Sequence, residues 1–212
     1  MTAKRTAILI SGRGSNMASL LAAMAGPDAA ARPVLVASNR PEAEGLARAT
    51  SAGVATAAVD HRHWGKDREG FERALSAEIE AAGAEIVVLA GFMRLLTPWF
   101  VARWHDRLIN IHPSLLPLFR GLDTHARALE AGVAVHGCTV HLVREAVDDG
   151  PILGQGVVPV IAGDTPESLA ARVVRMEHRL YPAALQRFAS GALGVTGDRV
   201  IGQPVALFDP EP

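Results

Sequence analysis

The chain has 212 residues, 49% of them apolar and 20% charged, with a formal net charge of −1. That mixture suits one folded domain with a sizeable core and lies far from the sparse-apolar, high-charge signature of disorder. Near-neutral charge with scattered basic residues excludes the electrostatic footprint of a nucleic-acid or anionic-membrane binder and points to small-molecule partners.

The only cysteine, Cys138, cannot form an internal disulfide, and the N-terminus enters an apolar strand without a signal-peptide layout. No apolar stretch approaches the roughly 20 residues that cross a bilayer. The expectation is a cytoplasmic protein without a membrane partner.

In chain order, residues 6–11, 33–38, 54–59, 85–90 and 107–111 read as strands. Between them 15–24, 41–51, 68–82 and 98–104 read as helices, with Gly53 and Gly83 placed where helices end. The run Ile86-Val87-Val88-Leu89 is apolar on consecutive residues, which implies burial on both faces and a mainly parallel sheet. After residue 120 the pattern changes. Residues 135–143 and 152–161 are strand-like runs joined by a polar, turn-rich connection, which reads as antiparallel. A long helix over 166–189 follows, and the tail from Ser190 adds one weak strand near Val200. The predicted fold is α/β and Rossmann-like, with a mixed, mostly parallel sheet of about seven strands and helices on both faces. Its domain spans 1–190, and 191–212 is an extension packed on it.

In open α/β sheets ligands bind beyond the C-terminal strand ends. The first strand runs into Ser11-Gly12-Arg13-Gly14-Ser15-Asn16 and then a helix, a layout whose backbone N–H groups attract an anion such as phosphate. The dinucleotide fingerprint would need a small residue where Met17 stands, and the Gly-Lys-Ser/Thr of a P-loop is absent. The bland reading is an ordinary strand-to-helix turn with Ser15 as N-cap.

Asn110 and His112 end the fifth strand two residues apart, hence on one face, and Pro113 holds His112 extended. An amide that donates to an oxyanion and an imidazole that shuttles protons suit attack by an amine on an acyl carbon. A carboxylate nearby would favour the imidazolium, and Asp148 is the candidate, while Asp149 is a solvent-facing turn residue. Against this stands a structural alternative in which Asn110 and His112 tie down a loop and Asp148-Asp149-Gly150 is a hairpin turn. His61-x-His63 lacks companions for a metal site and reads as a polar loop; no metal is expected. His136 and His141 face opposite ways along one strand and read as structural. Cys138, in the same apolar run, reads as a packing thiol.

Five blocks in register carry a resemblance: ISGRGSN at 10–16, VVLAGFMRLL at 87–96, LINIHPSLLP at 108–117, HGCTVHLV at 136–143, and the 148–151 turn followed by 158–164. Over nearly its whole length the chain resembles the folate-dependent phosphoribosylglycinamide formyltransferases. The resemblance implies transfer of a formyl group from 10-formyltetrahydrofolate, a cosubstrate, to the amine of glycinamide ribonucleotide in de novo purine biosynthesis, by a monomer or homodimer. It implies Asn110, His112 and Asp148 as catalytic residues. Gly14, Ser15 and Asn16 would hold the ribonucleotide phosphate, Glu177 the ribose, and Arg68, Met93, Arg94, Leu95, Leu96 and Asn110 the folate. Departures from the family pattern fall at Leu118-Phe119-Arg120, at Asp123 and at Asp149, where the pattern has Lys-Tyr-Pro, His and Gly. A formyltetrahydrofolate hydrolase and a non-catalytic nucleotide-binding protein are the rival readings; the length of the chain and the phosphate turn weigh against the hydrolase.

Overall fold

The computed structural model describes residues 2–209 and divides the chain into two compact units, Met1–Asn110 and Ile111–Pro212. In the first unit β1 (Lys4–Ile10) is flanked by β2 (Ala31–Ser38) and β4 (Ile86–Leu89). Next to β2 lies β3 (Thr56–Ala58), and next to β4 lies β5 (Leu108–His112), which crosses the boundary of the units; all these pairings are parallel. Parallel neighbours need crossovers. Here they carry α1 (Ser15–Met24), α2 (Glu44–Ser51), α3 (Arg68–Ala81) and α4 (Pro98–Arg103). The continuous apolar runs of β1 and β4 are buried on both faces, as a covered parallel sheet requires. Trp104, fully buried in this core, donates its indole N–H to Ser76 Oγ at 3.1 Å.

In the second unit β6 (Val135–Leu142) and β7 (Ile152–Pro159) pair antiparallel, and β10 (Val205–Phe208) adds to β7 in parallel. α6 (Pro166–Ala189) packs on β7. It starts from Thr165, whose side chain accepts from Ser168 N while Ser168 Oγ accepts from Thr165 N, a capping box, with Pro166 in the first turn. Its buried stripe Leu169, Val173, Met176, Leu180, Ala184 follows the helical period. A Cβ at Gly156 would fall 2.3 Å from Met176 Cγ, so glycine there lets helix and strand approach.

The strands make an eight-stranded, mostly parallel sheet in the order β10-β7-β6-β5-β4-β1-β2-β3. That is one strand more than the sequence patterning predicts, because β10 joins it. The tail also forms a separate hairpin of β8 (Gly194–Thr196) and β9 (Arg199–Ile201) where a single weak strand is predicted. α5 (Thr124–Glu130) and a 3-10 turn at His61–Trp64 are further additions.

Candidate active site

β5 places Asn110 and His112 at alternate positions, with Asn110 opposite Leu89 of β4. The chain beyond His112 is pinned at several points. Thr139 Oγ1 donates to Ser114 O at 2.7 Å and accepts from Leu116 N at 3.0 Å, while Gln155 Nε2 donates to Leu116 O at 2.9 Å. Thr139 is fully buried in β6. The Leu116–Pro117 peptide is cis.

His112, only 5% exposed, meets Asp148 with Nδ1 3.3 Å from Oδ2, and its Nε2 lies 3.0 Å from Phe119 O. A carboxylate and a carbonyl both accept, so each ring nitrogen of His112 faces an acceptor and the ring is held in one orientation. Asp148 Oδ2 also accepts from Gly121 N at 3.0 Å. The loop after His112 therefore grips both members of the pair.

Asp148 has φ of 52°, the left-handed region that aspartate visits more readily than most residues. Two residues on, a Cβ at Gly150 would fall 1.7 Å from Leu142 O, so only glycine lets the turn close onto β6. Asp149, predicted as a solvent-facing turn residue, is ion-paired with Arg120, so two departures from the family pattern meet.

Around the pair lie three further histidines. His141 is 2% exposed; its Nδ1–H donates to Leu142 O, and its Nε2 stands 3.7 Å from Asp148 Oδ1. Burial pushes the His141 imidazole down, which favours a neutral ring against the carboxylate. The sequence reading gives His141 a structural role and misses this approach; its separation from Asp148 in the chain offers no signal. His125 and His136 meet edge to face at 5.3 Å, and Phe119 packs on His136 at 5.9 Å. Burial, then His125, lowers His136 to about 4; burial, then His112, lowers His125. Burial, followed by the charge of Glu177, pushes the Cys138 thiol up, which fits a packing role rather than a nucleophile. Glu177 itself is 6% exposed on α6.

In the first unit, Ser11, Gly12, Arg13, Gly14, Ser15 and Asn16 line a cavity of about 350 Å³, together with Arg40, Ala90, Gly91 and Met93. Gly14, at φ 71°, is the N-cap of α1, and no side chain caps that helix, contrary to the sequence assignment of Ser15 as cap. Met17, where the dinucleotide fingerprint needs a small residue, is fully buried beneath Gly14.

Of the residues predicted for folate, Met93 lines the same cavity and leads into the segment that carries Arg94 and Leu95. Met93 N donates to Ser11 Oγ at 2.8 Å, Arg68 Nη2 donates to Leu95 O, and the Arg94 guanidinium lies 5.3 Å from the centre of the Phe71 ring. Met93 and Leu95 are 71% and 66% exposed, an apolar surface fit for a planar ligand. Glu72, absent from the sequence-derived site, is buried and accepts from Thr97 N at 2.9 Å and from the Thr97 hydroxyl, anchoring the end of this segment. Burial raises its carboxyl above the ordinary range, ahead of the opposing Thr97 hydrogen bonds. His61, in the polar loop, donates from Nδ1 to Asn39 O at 2.8 Å.

A mostly parallel α/β sheet with an uncapped glycine turn after its first strand, and a histidine–carboxylate pair at its fifth, is the equipment of a small-molecule group-transfer enzyme. Comparison with known proteins narrows the class. The chain belongs to the formyl transferase family, whose pattern matches residues 4–185. It is 44% identical over 186 residues to phosphoribosylglycinamide formyltransferase of Escherichia coli (strain K12), covering 88% of this chain and 87% of that protein. To the trifunctional purine biosynthetic protein adenosine-3 of Gallus gallus it is 48% identical over 191 residues, 90% of this chain; the chain spans about a fifth of that relative's length (19%). Among solved structures it is similar to glycinamide ribonucleotide transformylase 1 from Symbiobacterium toebii, with a TM-score of 0.90, 43% identity and 95% of each chain covered.

Proposed function

We propose that this protein transfers the formyl group of 10-formyltetrahydrofolate to the amine of glycinamide ribonucleotide in de novo purine biosynthesis. The observation that carries the reading is His112, nearly buried, with acceptors at both ring nitrogens and Asp148 at 3.3 Å. The folate, when bound, supplies an activated formyl carbon. The exposed Met93 and Leu95 suit its ring system, Leu96 completes their segment, and Arg68 and Arg94 hold it in shape.

Attack by a neutral amine on the formyl carbon places negative charge on the formyl oxygen and positive charge on the attacking nitrogen. Asn110 offers an amide N–H to that oxygen. The His112 imidazolium adds a second donor and yields a proton to the departing nitrogen, after which the neutral ring accepts the proton lost by the new amide. Asp148 stabilises the cation and fixes the ring. No activated Ser or Cys nucleophile enters this scheme, so transfer is direct. Gly14, Ser15 and Asn16 receive the phosphate at the N-terminus of α1, and Glu177 receives the ribose hydroxyls.

The same reading takes residues 1–190 as the formyltransferase domain with the extension 191–212 packed on it, of which 210–212 lie outside the described residues. It assigns a cytoplasmic monomer or homodimer that acts on small molecules, without a metal and without nucleic-acid or membrane partners. Among the described residues no helix is long and apolar enough to cross a membrane. The test is an assay of deformylated folate with and without glycinamide ribonucleotide. Product that appears only when the ribonucleotide amine is present supports transfer; equal product without it identifies a hydrolase and overturns the proposal.

A further inference from the structure

The cavity at the glycine turn carries more charge than its backbone donors. Of the residues that line it, Arg13 and Arg40 are the only ionisable ones, so the lining is doubly cationic and holds no carboxylate. Both side chains are exposed, and among the described residues neither guanidinium has a hydrogen-bond or ion-pair partner. Other arginines of the same unit are engaged: Arg5 and Arg62 with carboxylates, Arg68 with Leu95 O, Arg94 with the Phe71 ring. Arg13 and Arg40 thus follow the C-terminal ends of two adjacent parallel strands, β1 and β2, with donors uncommitted beside a space of about 350 Å³.

Their bases are fixed even though their arms are long. Arg40 N donates to Ser38 Oγ at 3.0 Å. The preceding Asn39, 2% exposed, accepts from Ser11 Oγ at 2.6 Å, and Ser11 Oγ in turn accepts from Met93 N. This chain of bonds ties the ends of β1 and β2 to the segment that begins at Met93. Arg13 sits directly before Gly14, whose left-handed backbone starts α1. Two rigidly rooted guanidiniums flank one uncapped helix N-terminus.

We propose that Arg13 and Arg40 form a two-armed clamp for a phosphate monoester dianion in this cavity, and that they set the preference for a phosphorylated ribosyl substrate over its unphosphorylated form. The inference rests on the ribonucleotide reading above and extends it to residues outside the glycine turn. A phosphate monoester carries a charge of about −1.5 to −2 at neutral pH. Planar guanidinium forks match its oxygens, each arm making charge-assisted hydrogen bonds that a neutral hydroxyl cannot match. The helix end supplies backbone donors and the arginines supply the countercharge.

Arg13→Gln, Arg40→Gln and the double variant of the full chain test the clamp, with Arg32→Gln as a control that is exposed and off the cavity. Two measurements suffice: KM for glycinamide ribonucleotide and for the folate, and the affinity for ribose 5-phosphate followed by phosphorus NMR. Each single variant should raise KM for the ribonucleotide about tenfold, the size of one charge-assisted hydrogen bond, and the double about a hundredfold. The KM for the folate should stay at the wild-type value, which also shows that the variants fold. Ribose 5-phosphate affinity should fall in parallel, with a shallower dependence on salt in the double variant. A wild-type protein that binds ribose 5-phosphate, beside a double variant that binds it equally, overturns the clamp and leaves the ribonucleotide reading standing. A wild-type protein that binds neither ribose 5-phosphate nor the ribonucleotide overturns both.

Discussion

Acidification gives a quantitative test of the electrostatics around the His112–Asp148 pair, through His136. Burial, reinforced by His125, holds the His136 imidazole at about 4 instead of the ordinary 6.5, against a hydrogen bond to the Pro113 backbone that works the other way. The unfolded chain binds a proton near pH 6.5, whereas the folded chain resists it down to about 4. The stability this burial demands is therefore fully present above pH 6.5 and is lost as pH falls through about 4. One unit corresponds to about 1.36 kcal/mol, so the folded state forfeits about 2 kcal/mol by pH 5 and about 3 kcal/mol by pH 4. Against a total of about 5–15 kcal/mol that is a large share. Urea unfolding of the wild type and of His136→Asn at pH 7 and pH 5 isolates the contribution, because His125, His141 and the carboxylates titrate in both proteins. The wild type should lose about 2 kcal/mol more than the variant over this interval. Equal losses would refute the claim that His136 is held neutral by burial.

Three other outcomes follow from named contacts. His112→Asn should retain ribonucleotide and folate binding while turnover falls about 10²- to 10⁴-fold, the range of a positioned proton-transfer group; unchanged turnover counts against the mechanism. Asp148→Asn removes the carboxylate that meets His112 at 3.3 Å, so turnover should fall while ribonucleotide and folate binding are retained; unchanged turnover removes that assignment. Arg172→Met breaks a buried pair, Arg172 Nη1 to Asp164 Oδ2 at 2.8 Å, and should destabilise the fold by about 3 kcal/mol because it strands a carboxylate. The Arg172 guanidinium, foremost, holds Asp164 well below the usual carboxylate range, so the pair's contribution is present above about pH 3.9 and is lost as pH falls towards the folded value. Acid unfolding of the wild type should accordingly be steeper below pH 4 than that of the variant.

Elements whose periodicity and termini agree are the ones legible from the chain. α6 is predicted over the residues it occupies, because its apolar stripe is continuous and Thr165-Pro166 marks its start. β1, β4 and the antiparallel β6–β7 pair follow from apolar runs and a polar connection. β10 escapes prediction because four residues at a sheet edge, half of them exposed, owe their strand conformation to pairing with β7 and not to patterning. α5 escapes because its seven residues bury only Thr124 and Ala128, and because it starts from Asp123 at a positive φ that composition does not announce. At the site, the two-residue spacing of Asn110 and His112 is visible in the sequence. The pinning by Thr139 and Gln155 is not, since both look like ordinary strand residues until the loop above them is in place.

The loop after β5 and the turn before β7 show why isolated departures from a family pattern are hard to weigh one at a time. Arg120 and Asp149 each replace a residue of different character, yet they form one ion pair between exposed side chains. Such a pair is worth less than about 1 kcal/mol, too little to hold a loop. What fixes the loop is the set of bonds beneath it: Gly121 N to Asp148, His112 to Phe119 O, and Ser114 Oγ to Leu118 O at 2.6 Å. The backbone donors and acceptors in that set survive any substitution at 120 or 149. The chemistry proposed for His112 therefore rests on its contact with Asp148 and on the path of the chain, which Pro113 and Gly150 enforce, and the surface pair is free to vary with it.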